Sequence, residues 1–227
     1  MSHDSTVRDR EVAGATHHDR VIRLDPPPTA YQRWGKPFFD RVVGALLGLA
    51  LLPLILVVAL CIRLTLGAPV LYRQPRTGLR GQPFAMLKFR TMQPCRRRAQ
   101  VPFDGPDRRR THKTAEDPRH TPLGRFLRAS SLDELPQLWN VVRGDLSLVG
   151  PRPELTEIVA AYQPWQHARH VVKPGVTGLW QVTQRGDGLM HEYVETDLRY
   201  VTSVTFLTDL KILTLTVPAV LGLRRGT

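Results

Sequence analysis

Cysteine, acidic side chains and aromatic side chains are all scarce in this sequence, and each shortage closes off a class of protein. There are two cysteines in 227 residues, Cys61 inside an apolar run and Cys95 beside Arg96, Arg97 and Arg98, and they form no CxxC pair. That excludes a disulfide scaffold, argues against a thiolate metal site and points to a reducing compartment. Acids number 20 against 32 lysines and arginines, giving a net charge of +12 and an isoelectric point near 10.6. Such a surplus implies an anionic partner, whether nucleic acid, acidic lipid or a phosphorylated substrate. Aromatics make up 7% of the chain, and none interleaves the basic runs Arg96–Arg98 and Arg108–Arg110. Without stacking side chains or a recognisable nucleic-acid motif, no nucleic-acid partner is expected.

One long apolar run is present. Val42 to Ile62 carries no charge and lies between Arg41 and Arg63. As a continuous helix it would measure roughly 30 Å, enough to cross a hydrocarbon core. Pro53 near its middle removes a backbone donor and crowds the carbonyl of Leu49, so a kink is expected there. Basic residues flank both ends, Arg33, Lys36 and Arg41 before and Arg63, Arg73, Arg76 and Arg80 after, where a single span normally shows asymmetry. A kinked re-entrant helix with both ends on one side satisfies both flanks, and a full span remains open. Residues 1–35 ahead of the run read as a disordered tail, and 36–66 as the membrane segment.

Residues 67–227 read as one domain. Pro69–Gln74 and Pro83–Arg90 are strand-like and separated by Thr77-Gly78 and Arg80-Gly81, which predicts a β-hairpin. Its second strand puts Lys88 and Arg90 on one face, suited to a polyanion or simply solvated. Residues 93–121 form an aperiodic basic insertion, read as a flexible loop. A short helix over Pro122–Arg128 should follow.

The stretch Ser131-Leu132-Asp133-Glu134-Leu135 has capping-box spacing, so a helix is expected to begin at about Leu132 and end at Gly144. Asp133 would then lie in the first turn, where the macrodipole and unpaired N–H groups favour its ionised form. A carboxylate so placed suits a nucleophile or a magnesium ligand, and equally a mere cap. Arg152, set between Pro151 and Pro153, is held in a restricted backbone suited to phosphate, unless Pro153 simply starts a helix running to about Tyr162. His167 and His170 lack a third partner for a metal. Residues 173–178 and 184–188 read as loops, Glu192–Tyr200 as a helix, and the apolar segment from Val201 as a buried or interfacial helix.

Taken together, the segments Lys36-Pro37-Phe38-Phe39-Asp40, Lys88-Phe89-Arg90-Thr91-Met92, Ser131 to Leu138, Ser147 to Pro153 and Lys173 to Gly178 resemble the bacterial sugar transferases. These are small monotopic polyprenyl-phosphate phosphoglycosyl transferases of bacterial cytoplasmic membranes. The resemblance implies transfer of a sugar 1-phosphate from a UDP-sugar to polyprenyl phosphate with release of UMP, as the initiating step of a polysaccharide or glycan. It further implies Mg2+, a nucleophile at Asp133, a metal or acceptor role for Glu134, and substrate-binding cations at Lys88, Arg128, Arg152 and Arg185, to which the strand face shared with Lys88 adds Arg90. Leu52 stands where the family often has Ser before the membrane proline. The expected fold is α+β and mainly helical, with a re-entrant helix, a short hairpin and a helical catalytic domain bearing interfacial amphipathic helices. Self-association into a homo-oligomer is left open.

Overall fold

The structure, a computed structural model, describes residues 28–93, 119, 121–183 and 194–220. Most of the 93–121 insertion, the first 27 residues and Arg185 lie outside the described residues.

The apolar run forms two helices, α1 (Lys36–Ala50) and α2 (Leu52–Thr65), which meet at Leu51 and bend by 62°. Pro53 sits in the first turn of α2, where its missing donor is tolerated. Among the described residues no single helix is long and apolar enough to cross a membrane; the bent pair together meets that test of length and composition. Leu46, Leu49, Leu56, Leu60 and Leu64 are exposed along it. The helical stretch begins before the sequence boundary at 36, with a π-helical turn over Tyr31–Gly35. Tyr31 is not part of a loose tail because its hydroxyl donates to Asp209 at 2.7 Å.

Strands β1 (Leu71–Thr77) and β2 (Pro83–Phe89) pair antiparallel as the expected hairpin, with Tyr72 opposite Lys88. Helix α3 (Pro122–Ala129) starts on a Thr121 cap whose hydroxyl accepts from the Gly124 amide at 3.0 Å. Val58 and Ile62 of α2 pack with Phe89 and Leu127, joining the bent pair to the hairpin and α3. Full burial of side chains this size contributes about 1.5–3 kcal/mol each.

Helix α4 (Gln137–Arg143) ends on Gly144 in the left-handed conformation, φ 90°, as the sequence suggested. It lies against α1 so closely that a Cβ on Gly44 would come within 2.9 Å of Val141. A second sheet, absent from the sequence reading, pairs β3 (Ser147–Val149) parallel with β4 (Gly175–Thr177). Residues 173–178 are therefore not simply a loop; strands of three residues carry too short an alternation to read. The helix that Pro153 was free to start is only α5 (Thr156–Val159). Residues 151–155 stay outside helix and sheet, for reasons of carbonyl bonding given below. A 3-10 segment over Pro164–Val171 and the helices α6 (Leu179–Thr183), α7 (Val194–Thr202) and α8 (Phe206–Val220) follow among the described residues.

A buried polar cluster joins the start of α1 to the end of the chain. Asp209 on α8 accepts from Lys36 at 2.6 Å and from Tyr200 at 2.7 Å. Asp40 accepts from the Ser147 hydroxyl at 2.7 Å and the Leu148 amide at 3.2 Å. Buried carboxylates need such full pairing, and these bonds fix β3 relative to α1. Helix α8 also leaves Phe206, Leu207, Leu210 and Val217 exposed, an apolar face beside its buried Asp209 and Ile212.

His170, stacked on Tyr162, carries a pH expectation. Burial, then the charge of Arg169 and the neighbouring His167, push its imidazole down from 6.5 to about 4. Between those values the unfolded chain binds the extra proton, so stability falls as pH drops through the window. Melting temperatures in detergent should decline from pH 7 to 4.5, and His170→Phe should flatten that decline. An unchanged slope in the variant would assign the loss to other groups.

Candidate active site

The two acids do not open a helix. Ser131 is in the left-handed region, φ 59°, and Leu132–Glu134 form a single 3-10 turn with Glu134 N–H bonded to Ser131 O at 3.1 Å. No side-chain capping bond is made by Ser131. The reason lies in Pro136: an α-helix from Leu132 would need its missing N–H to bond Leu132 O, so α4 begins only afterwards. Glu134, freed from capping, reaches sideways.

It meets two cations from separate elements. Lys88 Nζ, on β2, lies 2.8 Å from Glu134 Oε1, and Arg152 Nη2 lies 2.9 Å from the same oxygen. Lys88 is also 4.0 Å from Asp133 Oδ2. Asp133 is buried, and among the described residues no hydrogen-bond donor reaches its carboxylate. Arg128, in the last turn of α3, bonds Gly124 O at 3.4 Å, and its charge acts favourably on the ionised Asp133.

The protonation tendencies of the two acids diverge. Burial raises the Asp133 pKa; Lys88 opposes this, Glu134 adds to it, and Arg152 and Arg128 oppose it. The favourable helix end expected from the sequence is missing, and so is the ionising bias it was to supply. Burial also works against the ionised Glu134, yet Arg152 and Lys88 outweigh it and hold that carboxyl far below the usual range. That direction makes Glu134 a poor proton acceptor. Burial lowers the Lys88 pKa, with Glu134 pulling it back.

Arg90, paired with Lys88 in the sequence reading, is placed elsewhere. Its guanidinium donates to the carbonyls of Leu66 at 2.5 Å, Gly67 at 2.7 Å and Ala68 at 3.0 Å, closing the turn between α2 and β1. Those bonds commit it to backbone, not to the acids. Asn140 was not singled out from the sequence, yet it is fully buried and does what a neighbouring strand would do for β2. Its Oδ1 accepts from the Leu87 amide at 2.9 Å and its Nδ2 donates to Ala85 O at 2.9 Å. These bonds set Lys88 opposite the acids. Two residues from both Leu138 and Val142, Asn140 falls on the opposite side of the helix from that apolar pair, so no local pattern marked it.

Among the described residues no three His, Cys, Asp or Glu side chains are grouped to hold a metal. Magnesium does not need three, because it commonly takes one or two carboxylates and completes its shell with water and substrate phosphate. Asp133, whose carboxylate no donor engages, fits that requirement better than Glu134, whose Oε1 is shared by two cations.

The family model for bacterial sugar transferases matches residues 31–223. The chain belongs to this family. Similar to this sugar transferase is the UDP-glucose:undecaprenyl-phosphate glucose-1-phosphate transferase of Caulobacter vibrioides, 44% identical over 194 residues, covering 82% of the chain and 69% of that protein. A sugar transferase of Bacillus subtilis, EpsL, is 41% identical across 82% of the chain and 87% of its own length. The Escherichia coli UDP-glucose:undecaprenyl-phosphate glucose-1-phosphate transferase is 37% identical; the match covers 87% of the chain and 42% of that longer protein.

For this sugar transferase, Arg128→Ala should lower kcat/KM for the nucleotide-sugar donor by roughly 10- to 100-fold with little change in melting temperature. The comparison is made by initial rates at varied donor. An unaffected kcat/KM would remove Arg128 from the site.

Proposed function

We propose that the protein transfers a sugar 1-phosphate from a UDP-sugar to undecaprenyl phosphate, releasing UMP, through a phosphosugar bound to Asp133. The observation that carries this reading is a buried carboxylate that no hydrogen-bond donor among the described residues reaches, beside a second acid that two cations keep ionised. A carboxylate attacking a diphosphate meets like charge, so positive groups must be in place before it can approach. Lys88, Arg152 and Arg128 supply them, from three separate segments of the chain.

In the first step an Asp133 oxygen bonds the phosphorus that bears the sugar. The bond from that phosphorus to the bridging oxygen breaks, and UMP departs with its electron pair. In the second, an oxygen of the lipid phosphate attacks the same phosphorus and the Asp133 carboxylate is regenerated. A phosphate monoester near neutral pH is already largely dianionic, so no strong base is required. That suits a Glu134 whose part is to hold Lys88 and Arg152 in place. Bound magnesium, held through Asp133 and substrate oxygens, would offset further diphosphate charge.

One substrate is lipid and the other soluble, so the site belongs near a bilayer surface. The exposed leucines of the bent pair and the apolar face of α8 support a protein that enters the cytoplasmic membrane and returns to the cytosolic side. Relatives named for glucose make UDP-glucose the first donor to try. UMP release from UDP-glucose, dependent on both undecaprenyl phosphate and magnesium, is the expected result in detergent. If no member of a UDP-sugar panel gives acceptor-dependent UMP, the reading fails.

A further inference from the structure

The segment Pro151–Glu154 belongs to no helix or strand, yet each of its four carbonyls is held by a donor from elsewhere in the chain. Pro151 O accepts from the Gly175 amide at 2.9 Å, and Glu154 O from the Thr77 amide at 3.0 Å. Between them the donors are side chains. Pro153 O takes Arg76 Nη1 at 3.1 Å, and Arg152 O takes Arg169 Nη2 at 2.7 Å. Four successive carbonyls pinned from β4, the 3-10 segment and β1 leave this piece of backbone little freedom. Only the Arg152 side chain is left to project, and it ends on Glu134 at 2.9 Å.

Arg169 is the unusual member of this set. It is 1% exposed and lies 2.5 Å from Asp197 Oδ2 through Nη2, while its Nη1 donates to Tyr162 Oη at 2.7 Å. Sealing an ion pair inside a protein costs several kcal/mol of desolvation per ion, and apolar residues of similar volume often pack as well or better. What apolar residues cannot do is direct rigid N–H groups at a carboxylate, a phenol and a carbonyl together, as a guanidinium fork does. The third of those targets is the backbone of Arg152.

From this we infer that Arg169, braced by Asp197 and Tyr162, is a positioning residue for the transfer reaction: it fixes the Arg152 backbone so that the Arg152 guanidinium is presented to the donor diphosphate. Arg169 lies 17 residues from Arg152 in the chain, and its effect on the reaction passes through Arg152. A lysine in its place keeps the charge for Asp197 but cannot reach all three partners. The inference rests on the proposed role of Arg152.

A double-mutant cycle on the full-length chain, read as kcat/KM for UDP-glucose in the UMP-release assay with undecaprenyl phosphate, tests it. Arg152→Ala alone should lose roughly 100-fold and Arg169→Lys alone roughly 10-fold. In the Arg152→Ala background, Arg169→Lys should cost less than about twofold more, because nothing is left for it to position. A purely structural Arg169 would instead lower activity by its full factor in both backgrounds, and that result overturns the inference while leaving Arg152 in its role. Full activity of Arg152→Ala would overturn the role of Arg152 and the inference with it. If Arg169→Lys yields no folded protein, Tyr162→Phe, which removes one brace and keeps the ring on His170, is run through the same cycle with the same criteria at a smaller factor.

Discussion

Asp133→Asn is expected to abolish transfer, with a loss of at least about 10³-fold in kcat and no labelled phosphosugar retained on the protein. The amide matches the carboxylate in size and fits the same buried place, but it offers no anionic oxygen to attack phosphorus. Stability should move the other way. Burial raises the Asp133 pKa, so at neutral pH the ionised group is held at a cost that a neutral isostere avoids. The variant should therefore melt at the same temperature as the parent or higher, the pattern of a residue kept for chemistry at the expense of the fold. Single-turnover reactions with radiolabelled UDP-sugar, followed on a denaturing gel, read the adduct, and thermal denaturation reads the rest. An adduct formed at the parental rate would reject the nucleophile assignment.

Gly175→Ala should be a severely damaging small substitution. An added Cβ would stand 2.1 Å from the Gly150 amide nitrogen, 2.4 Å from Thr177 O and 2.7 Å from the Val149 carbonyl carbon. All three are backbone atoms of β3, β4 or Gly150 just after β3, so no flexible side chain can give way. The strands must part, and with them the Gly175–Pro151 bond that holds the Arg152 segment. A loss of about 3 kcal/mol or more is expected, read as a fall in melting temperature or failure to fold. Gly48→Ala is the control: nothing lies within 4 Å of its Cβ position. Equal melting of the two variants would show that the close approach of β3 and β4 is unimportant.

Where the signal was long or chemically strong, sequence and structure agree. The apolar run and Pro53 anticipated a bent helix pair, and turn residues flanked by alternation anticipated the hairpin. Gly144 was readable as a helix end because only its left-handed φ fits there. Disagreements fall where tertiary partners override local preference. The capping-box spacing at Ser131 was genuine, but Pro136 and the pull of Lys88 and Arg152 on Glu134 defeated it. Arg90 looked like a partner of Lys88 by alternation, yet three carbonyls of the 66–68 turn claim it. Asn140 and Arg169 act through contacts 53 and 17 residues away, and no local pattern encodes such reach. The glycines of 173–178 looked like turn residues when their role is to let two strands touch.

Both cations beside the acids converge on one oxygen of Glu134. On the proposed reaction, that oxygen stands where the donor diphosphate would meet the same two cations. An arriving nucleotide sugar need not gather mutually repelling charges from solvent; it exchanges one anionic tenant for another. Entry would then ask two side chains on pinned backbones to turn from one anion to another, with Glu134 at hand to take both back.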